Sequence, residues 1–321
     1  MADYVITGAS GFIGHSLAER LRGRGDVVRG MDLHADPARD VVAGDVTDPG
    51  SWSDVITPGA TVVHTAALVS NLPTLEEAWR VNTLGTRRVL DAAVARGAGR
   101  VVYLSSVRAF SDVGFPDGVT EDHPLRPDGN PYVDTRIAAE QAALQAHAAG
   151  EIDVTVVRPG DVYGPGARAW TLLPVQMIKA NRFLLPAMGR GVFSPVYVDD
   201  LVSGLVLAAD RAEAAGQVFT LSGGVGVQCR EFFGHYYRML GRRGPVVMPT
   251  AAALALASAA ARVNRVRGAD DETNTTAVRY FCRTGTYSIE KARTTLGYDP
   301  VVGLDEGMRR TEAWLRDVGE L

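Results

Sequence analysis

A short apolar run, Tyr4–Thr7, breaks directly into Gly8-Ala9-Ser10-Gly11-Phe12-Ile13-Gly14 and then into a helical stretch beginning His15-Ser16-Leu17. Three glycines at that spacing let a chain turn tightly and bring backbone N–H groups close to a pyrophosphate, at a helix start whose partial positive charge favours an anion. The next strand-like run ends at Asp32, eighteen residues after Gly14, where a carboxylate can bind adenosine ribose hydroxyls and repel a 2′-phosphate. Strand, glycine loop, helix and acid in that order predict a dinucleotide site. It is formed by Gly8, Ser10, Gly11, Phe12, Ile13, Gly14 and Asp32, and is expected to take NAD in preference to NADP.

The pattern repeats through the first half as β-branched runs alternating with Ala/Leu-rich helical stretches. Strands are expected at Tyr4–Thr7, Val27–Asp32, Val41–Asp45, Thr61–His64, Val101–Ser105 and Val154–Arg158, with a seventh at Val218–Leu221. Helices are expected at Gly14–Arg22, Thr74–Ala95 and Tyr132–Ala149, then Arg230–Leu240, Pro249–Val263 and Leu304–Val318. Such an order predicts an α/β fold, a doubly wound parallel sheet of Rossmann type with a smaller interleaved C-terminal substrate domain. Residues 1–165 would form the dinucleotide-binding domain, a strand near 196–222 returning to it, and 166–321 mainly the substrate-binding region. The segment Asp112–Asn130, with three prolines, reads as a surface loop.

A formal charge of −4 gives no basic footprint, so nucleic acid is not an expected partner. The long uncharged run Gly244–Ala261 is broken by Pro245 and Pro249, so no membrane span is expected. Cys229 and Cys282 stand far apart and the histidines lack ligand spacing, so neither a disulfide framework nor a metal site is expected. A start that runs straight into a strand, with so few cysteines, suits the cytoplasm.

Oxidising a secondary alcohol needs a base at the hydroxyl while hydride leaves for a nicotinamide, and reduction reverses both steps. A tyrosine can serve both ways if a nearby cation stabilises its phenolate, because its ordinary pKa is about 10. Tyr132 begins a helical stretch and Arg136 follows four residues on, on the same face. Ser105-Ser106 close the fifth strand, at the sheet edge where doubly wound folds bind ligands.

These features, in this order, resemble the extended branch of the short-chain dehydrogenase/reductase superfamily over nearly the whole chain. Gly44-Asp45-Val46-Thr47-Asp48 is similar to its third-strand segment, which implies Asp45 and Val46 beside the adenine. Val63-His64-Thr65-Ala66-Ala67 is similar to the segment under the cofactor, implying Ala66 and Ala67 there, and Val81–Thr86 to the helix bearing Asn82. Further matches are Arg158-Pro159 through Tyr163-Gly164-Pro165-Gly166, Val196-Tyr197-Val198-Asp199-Asp200 and Ser288-Ile289-Glu290-Lys291-Ala292. The resemblance implies that Ser106 orients the substrate oxygen, that Tyr132 is the acid/base and that Arg136 takes the place of the family's lysine. It also implies Arg158 and Pro159 at the cofactor, and a homodimer through Thr74–Ala95 and Tyr132–Ala149. Arginine keeps the charge but not the shape or the ability to relay a proton.

Ser106 is followed by Val107-Arg108 where the superfamily's dehydratases carry Asp-Glu, which argues against dehydration. The Arg158-Pro159 form is most like 3β-hydroxysteroid dehydrogenases and dihydroflavonol reductases, which implies a bulky apolar ring system as the small-molecule substrate. Trp170, Leu172, Leu173, Met177, Phe183, Leu184, Leu185, Met188 and Phe193 could line such a pocket or simply pack. Two alternatives remain: a sugar-nucleotide epimerase with the same hydride chemistry, and a dinucleotide-binding sensor or scaffold without turnover.

Overall fold

In the computed structural model, which describes residues 1–111, 116–267 and 275–321, the β-branched runs assemble into a parallel sheet of seven strands. These are β1 (Asp3–Thr7), β2 (Val27–Asp32), β3 (Val41–Ala43), β4 (Thr61–His64), β5 (Arg100–Leu104), β6 (Asp153–Pro159) and, after three short strands, β10 (Val218–Leu221). The short strands are β7 (Asp161–Tyr163), β8 (Val192–Phe193) and β9 (Pro195–Tyr197), and β11 (Val227–Gln228) follows the sheet. The spatial order is β10-β6-β5-β4-β1-β2-β3, so the winding reverses between β1 and β4 and opens a crevice at their C-terminal ends. Val5, Ile6, Val62, Val63, Val101, Val102, Val154 and Val156 are all buried, as a sheet covered on both faces requires.

The helices are α1 (Phe12–Gly23), α2 (Leu75–Ala78), α3 (Gly85–Ala95), α4 (Pro131–Ala148), α5 (Leu173–Lys179), α6 (Val198–Asp210), α7 (Cys229–Met239), α8 (Thr250–Arg267), α9 (Thr275–Tyr280), α10 (Glu290–Leu296) and α11 (Leu304–Asp317). One face of the sheet is covered from α3 and α4, through Val89, Leu90, Ala93, Ala139 and Ala143. On the other, Leu17 and Leu21 of α1 meet Leu201, Val202 and Leu205 of α6, which recur at helical spacing. Deleting a buried leucine from either layer costs about 2–5 kcal/mol.

One feature departs from the sequence expectations, and two others gain detail. The single helix expected over Thr74–Ala95 begins at a Thr74/Glu77 capping box but passes through a π-helical turn at Trp79–Leu84. The strand expected to return to the sheet near 196–222 is β10, preceded by β9 and by α6, whose Val198, Leu201, Val202 and Leu205 bury one helical stripe. Asp112–Phe115 of the expected surface loop lie outside the described residues, and the rest is a mostly exposed loop pinned at one point. Val119 is buried, donates its N–H to the Thr286 carbonyl at 3.0 Å and accepts from Ser288 at 2.8 Å. The two-stranded pairs β7·β9 and β8·β11 sit beyond the sheet's C-terminal edge with an aromatic core of Phe193, Phe232, Phe233 and Tyr236.

Candidate active site

The crevice at the switch point is built by backbone that tolerates no side chain. Gly8 has φ +76°, and a Cβ on it would stand 2.8 Å from the Ala66 nitrogen, so the β1 and β4 ends approach only because it is glycine. A Cβ on Gly14 would lie 2.2 Å from the Gly8 carbonyl oxygen, which locks the first turn of α1 against the loop. Gly11 caps α1 without a side-chain hydrogen bond, leaving first-turn N–H groups beside Phe12 and Ile13 for an anion. Asp32 ends β2 and accepts the Ser10 N–H at 2.9 Å on one oxygen and the Leu33 N–H at 2.8 Å on the other. Each oxygen keeps a lone pair for a ribose hydroxyl.

Around this cradle the remaining residues hold backbone. Asp45 accepts the Thr47 N–H at 2.7 Å, and buried Val46 packs where a Cβ on Gly85 would come within 2.9 Å. Half-buried Ala66 and Ala67 follow β4. Buried Asn82, in the π-turn, accepts the Leu68 N–H at 2.9 Å, donates to the Leu68 carbonyl at 3.2 Å and reaches the Thr135 hydroxyl of α4 at 3.1 Å. It thereby ties the segment after β4 to the helix that carries Tyr132. His64 is held between the hydroxyls of Thr7 at 2.7 Å and Thr86 at 3.0 Å. Burial, helped by the Arg136 charge, pushes its pKa down to about 3, so it is neutral.

Arg158 and Pro159 end β6 beside the end of β5. The Arg158 guanidinium is taken up by Glu140, donating from Nε at 3.1 Å and from Nη2 to the other carboxylate oxygen, and it lies 4.6 Å above the Phe110 ring. Ser105 also donates to Glu140, at 2.9 Å, leaving Ser106 as the hydroxyl at the strand end.

Ser106, Tyr132 and Arg136 are brought together and all three are buried. Ser106 accepts the Arg108 N–H at 3.2 Å, capping a short 3-10 turn, so its own proton is available to donate. Asn130 caps α4 by accepting the Tyr132 N–H at 2.8 Å, with Pro131 at the first helical position. The Arg136 guanidinium carbon stands 5.3 Å from the Tyr132 ring centre. Burial pushes the Tyr132 phenol up, but the Arg136 charge, the Ser106 hydroxyl and the Arg108 charge outweigh it and hold the pKa below its ordinary value. The Arg136 Nε is buried with no hydrogen-bond partner among the described residues, a donor suited to a ribose hydroxyl. With the glycine cradle and Asp32, these residues fit a dinucleotide lying across the switch point.

Sequence reasoning missed the other wall of this site. Buried Asp161 accepts from the Tyr280 hydroxyl, from the Ser194 N–H at 2.8 Å and from Arg283 at 3.0 Å. Burial raises its pKa despite the Arg283 charge. Arg108 bridges the two walls, 5.1 Å above the Tyr132 ring and 5.2 Å from the Tyr280 ring, and Trp170 stacks on Tyr280 at 5.1 Å. Of the apolar residues expected near substrate, Phe183, Leu185 and Phe193 are core, while Trp170, Leu172 and Met177 are partly buried against it. Arg108 was within reach of the sequence, two residues after Ser106; Tyr280 and Arg283 carried no local signal.

Among the described residues no cluster of His, Cys, Asp or Glu is placed to hold a metal, and no helix is long and apolar enough to cross a membrane. The chain is 27% identical to a 2-alkyl-3-oxoalkanoate reductase of Stenotrophomonas maltophilia, covering 96% of this chain and 98% of that one. It is 31% identical to a 4-hydroxy-2-methyl-3-oxo-4-farnesyl-3,4-dihydroquinoline-1-oxide ketoreductase of Stigmatella aurantiaca, over 94% and 93%. Among solved structures, MoeE5 in complex with UDP-glucuronic acid and NAD superimposes with a TM-score of 0.79 at 27% identity, covering 99% of this chain and 100% of that one. Residues 4–222, from β1 through the end of β10, match one family along their length, and the chain belongs to the NAD dependent epimerase/dehydratase family.

Proposed function

We propose that this chain is an NAD-dependent oxidoreductase interconverting a secondary alcohol and a ketone on a bulky, largely apolar substrate. The observation that carries the reading is a buried phenol held below its ordinary pKa between a serine hydroxyl and a guanidinium, at the end of β5. Bound NAD supplies the hydride acceptor in one direction and, reduced, the donor in the other. Ser106 donates a hydrogen bond to the substrate oxygen and fixes that atom beside Tyr132. The Tyr132 oxygen takes the hydroxyl proton during oxidation and returns it during reduction, while Arg136 offsets its negative charge and binds the ribose. Asp32 selects NAD over NADP by offering lone pairs to hydroxyls and repelling a phosphate.

The ketoreductase relatives support a ketone, and one of them is named for a farnesylated ring system. Trp170 and Tyr280 offer a flat apolar wall for such a substrate. Residues 1–165 with β10 would hold the cofactor, and 166–321 would shape the substrate side. Exposed Leu75 and Trp79 beside α3 suit pairing with a second copy, and the free thiols suit a reducing cytoplasm. A second reading, sugar-nucleotide epimerisation, is favoured by the likeness to MoeE5 with UDP-glucuronic acid and NAD.

Reduced nicotinamide absorbance, followed with steroid, polyketide and flavonoid ketones, separates the readings. The proposal expects net NADH consumption with one class, abolished by Tyr132→Phe. Epimerisation of a UDP-sugar on tightly held NAD, without net consumption, would establish the second reading. NAD binding without turnover on any of these would mark a sensor.

A further inference from the structure

A lysine beside a catalytic phenol is a compact point charge, whereas a guanidinium is a planar fork whose effect depends on how it is turned. Arg136 makes no ion pair among the described residues. Its Nη1 donates to the Tyr103 phenol at 3.1 Å, and its guanidinium carbon lies 5.8 Å from the Tyr103 ring and 5.3 Å from the Tyr132 ring. Tyr103 is fully buried in β5, two residues before Ser105 and therefore on the same strand face. Glu140, whose charge also reaches Tyr103, is held by Arg158 and Ser105.

We infer that Tyr103 is a positioning residue for the acid/base: by accepting from Nη1 it fixes the fork of Arg136 between two phenols, a brace that a lysine would not need. The inference rests on Tyr132 as the proton-transfer group. Tyr103 faces Arg136 and Glu140 from α4, Tyr132, and the neutral His64 ring 5.7 Å away. Tyr132 faces Arg136 on its own helix and Ser106 and Arg108 from the segment after β5. Burial raises the Tyr103 phenol more than Arg136 offsets, so it stays neutral and remains an acceptor. At Tyr132 the serine and the second arginine tip the balance the other way.

The test needs no substrate, so a failure of the ketone assignment leaves it intact. The ultraviolet tyrosinate band of the NAD-loaded protein is titrated, and Tyr132 is isolated as the difference between each form and its Tyr132→Phe counterpart. Tyr103→Phe keeps the ring and is expected to raise the Tyr132 midpoint by about one unit, a roughly tenfold loss of phenolate at a fixed pH below it. In an R136K background the same change should move it by less than about a third as much. Tyr103→His, which keeps an acceptor and also serves if Tyr103→Phe does not fold, should hold the midpoint near wild type. An unmoved midpoint in Tyr103→Phe, equal shifts in both backgrounds, or a full-unit shift in Tyr103→His would overturn the inference.

Discussion

Two buried guanidiniums lie against α4, and they are balanced differently. Arg158 meets Glu140 through two N–H···O contacts, with Ser105 on the same carboxylate, so it faces a carboxylate directly. Among the described residues Arg136, equally buried, meets only phenols, one of them 3.1 Å away. A buried cation paired with a carboxylate has little left to offer a reaction, whereas one facing a neutral phenol gains when that phenol loses its proton. The first arrangement ties β6 to α4; in the proposed reaction the second keeps a favourable interaction in reserve for the step in which Tyr132 becomes negative.

That contrast breaks most visibly at the phenol itself. Tyr132→Phe is expected to lower NAD-dependent turnover about 10³-fold, roughly 4 kcal/mol of barrier, while NAD affinity stays within about threefold. Calorimetric NAD binding beside steady-state rates checks both halves, and near-normal rates would remove Tyr132 from the chemistry. The carboxylate-paired region responds in stability instead. Glu140→Ala leaves Arg158 buried without its anion and should cost about 3–5 kcal/mol in urea unfolding. A loss below about 1 kcal/mol would show that Arg158 finds solvent or another acceptor.

A third, smaller effect comes from the burial of His64, to which the Arg136 charge adds. Folded His64 stays neutral down to about 3, whereas in the unfolded chain it protonates near its ordinary 6.5, so the unfolded state binds the extra proton in between. Stability from this source is complete above pH 6.5 and declines on acidification toward 3, by about 1.4 kcal/mol per pH unit. Comparing the wild type with His64→Gln in urea, the wild type should lose about 2 kcal/mol more between pH 7 and pH 5. Identical losses would mean that His64 accepts a proton in place.

Much of this was legible in the chain because its signals are local. The glycine loop, Asp32 and the Tyr132/Arg136 spacing each fall within one turn or one strand–loop–helix unit, where backbone geometry leaves few choices. Asp161, Tyr280 and Arg283 meet across more than a hundred residues, and nothing in their neighbours marks the pairing. The π-turn was hidden because a capping box followed by Ala and Leu reads as one continuous helix. Tyr103 was within reach: strand alternation places it on the face of Ser105, and that face meets α4 at both residues.

In the proposed reaction Arg136 makes the Tyr132 phenol acidic. Carbon-13 NMR of ring-labelled tyrosine, titrated in the wild type and in Arg136→Gln with NAD present, reads that directly. A Tyr132 midpoint below the ordinary value of about 10 in the wild type and above it in Arg136→Gln is the expected result. One midpoint shared by both proteins would mean that Arg136 does not set the acidity of Tyr132.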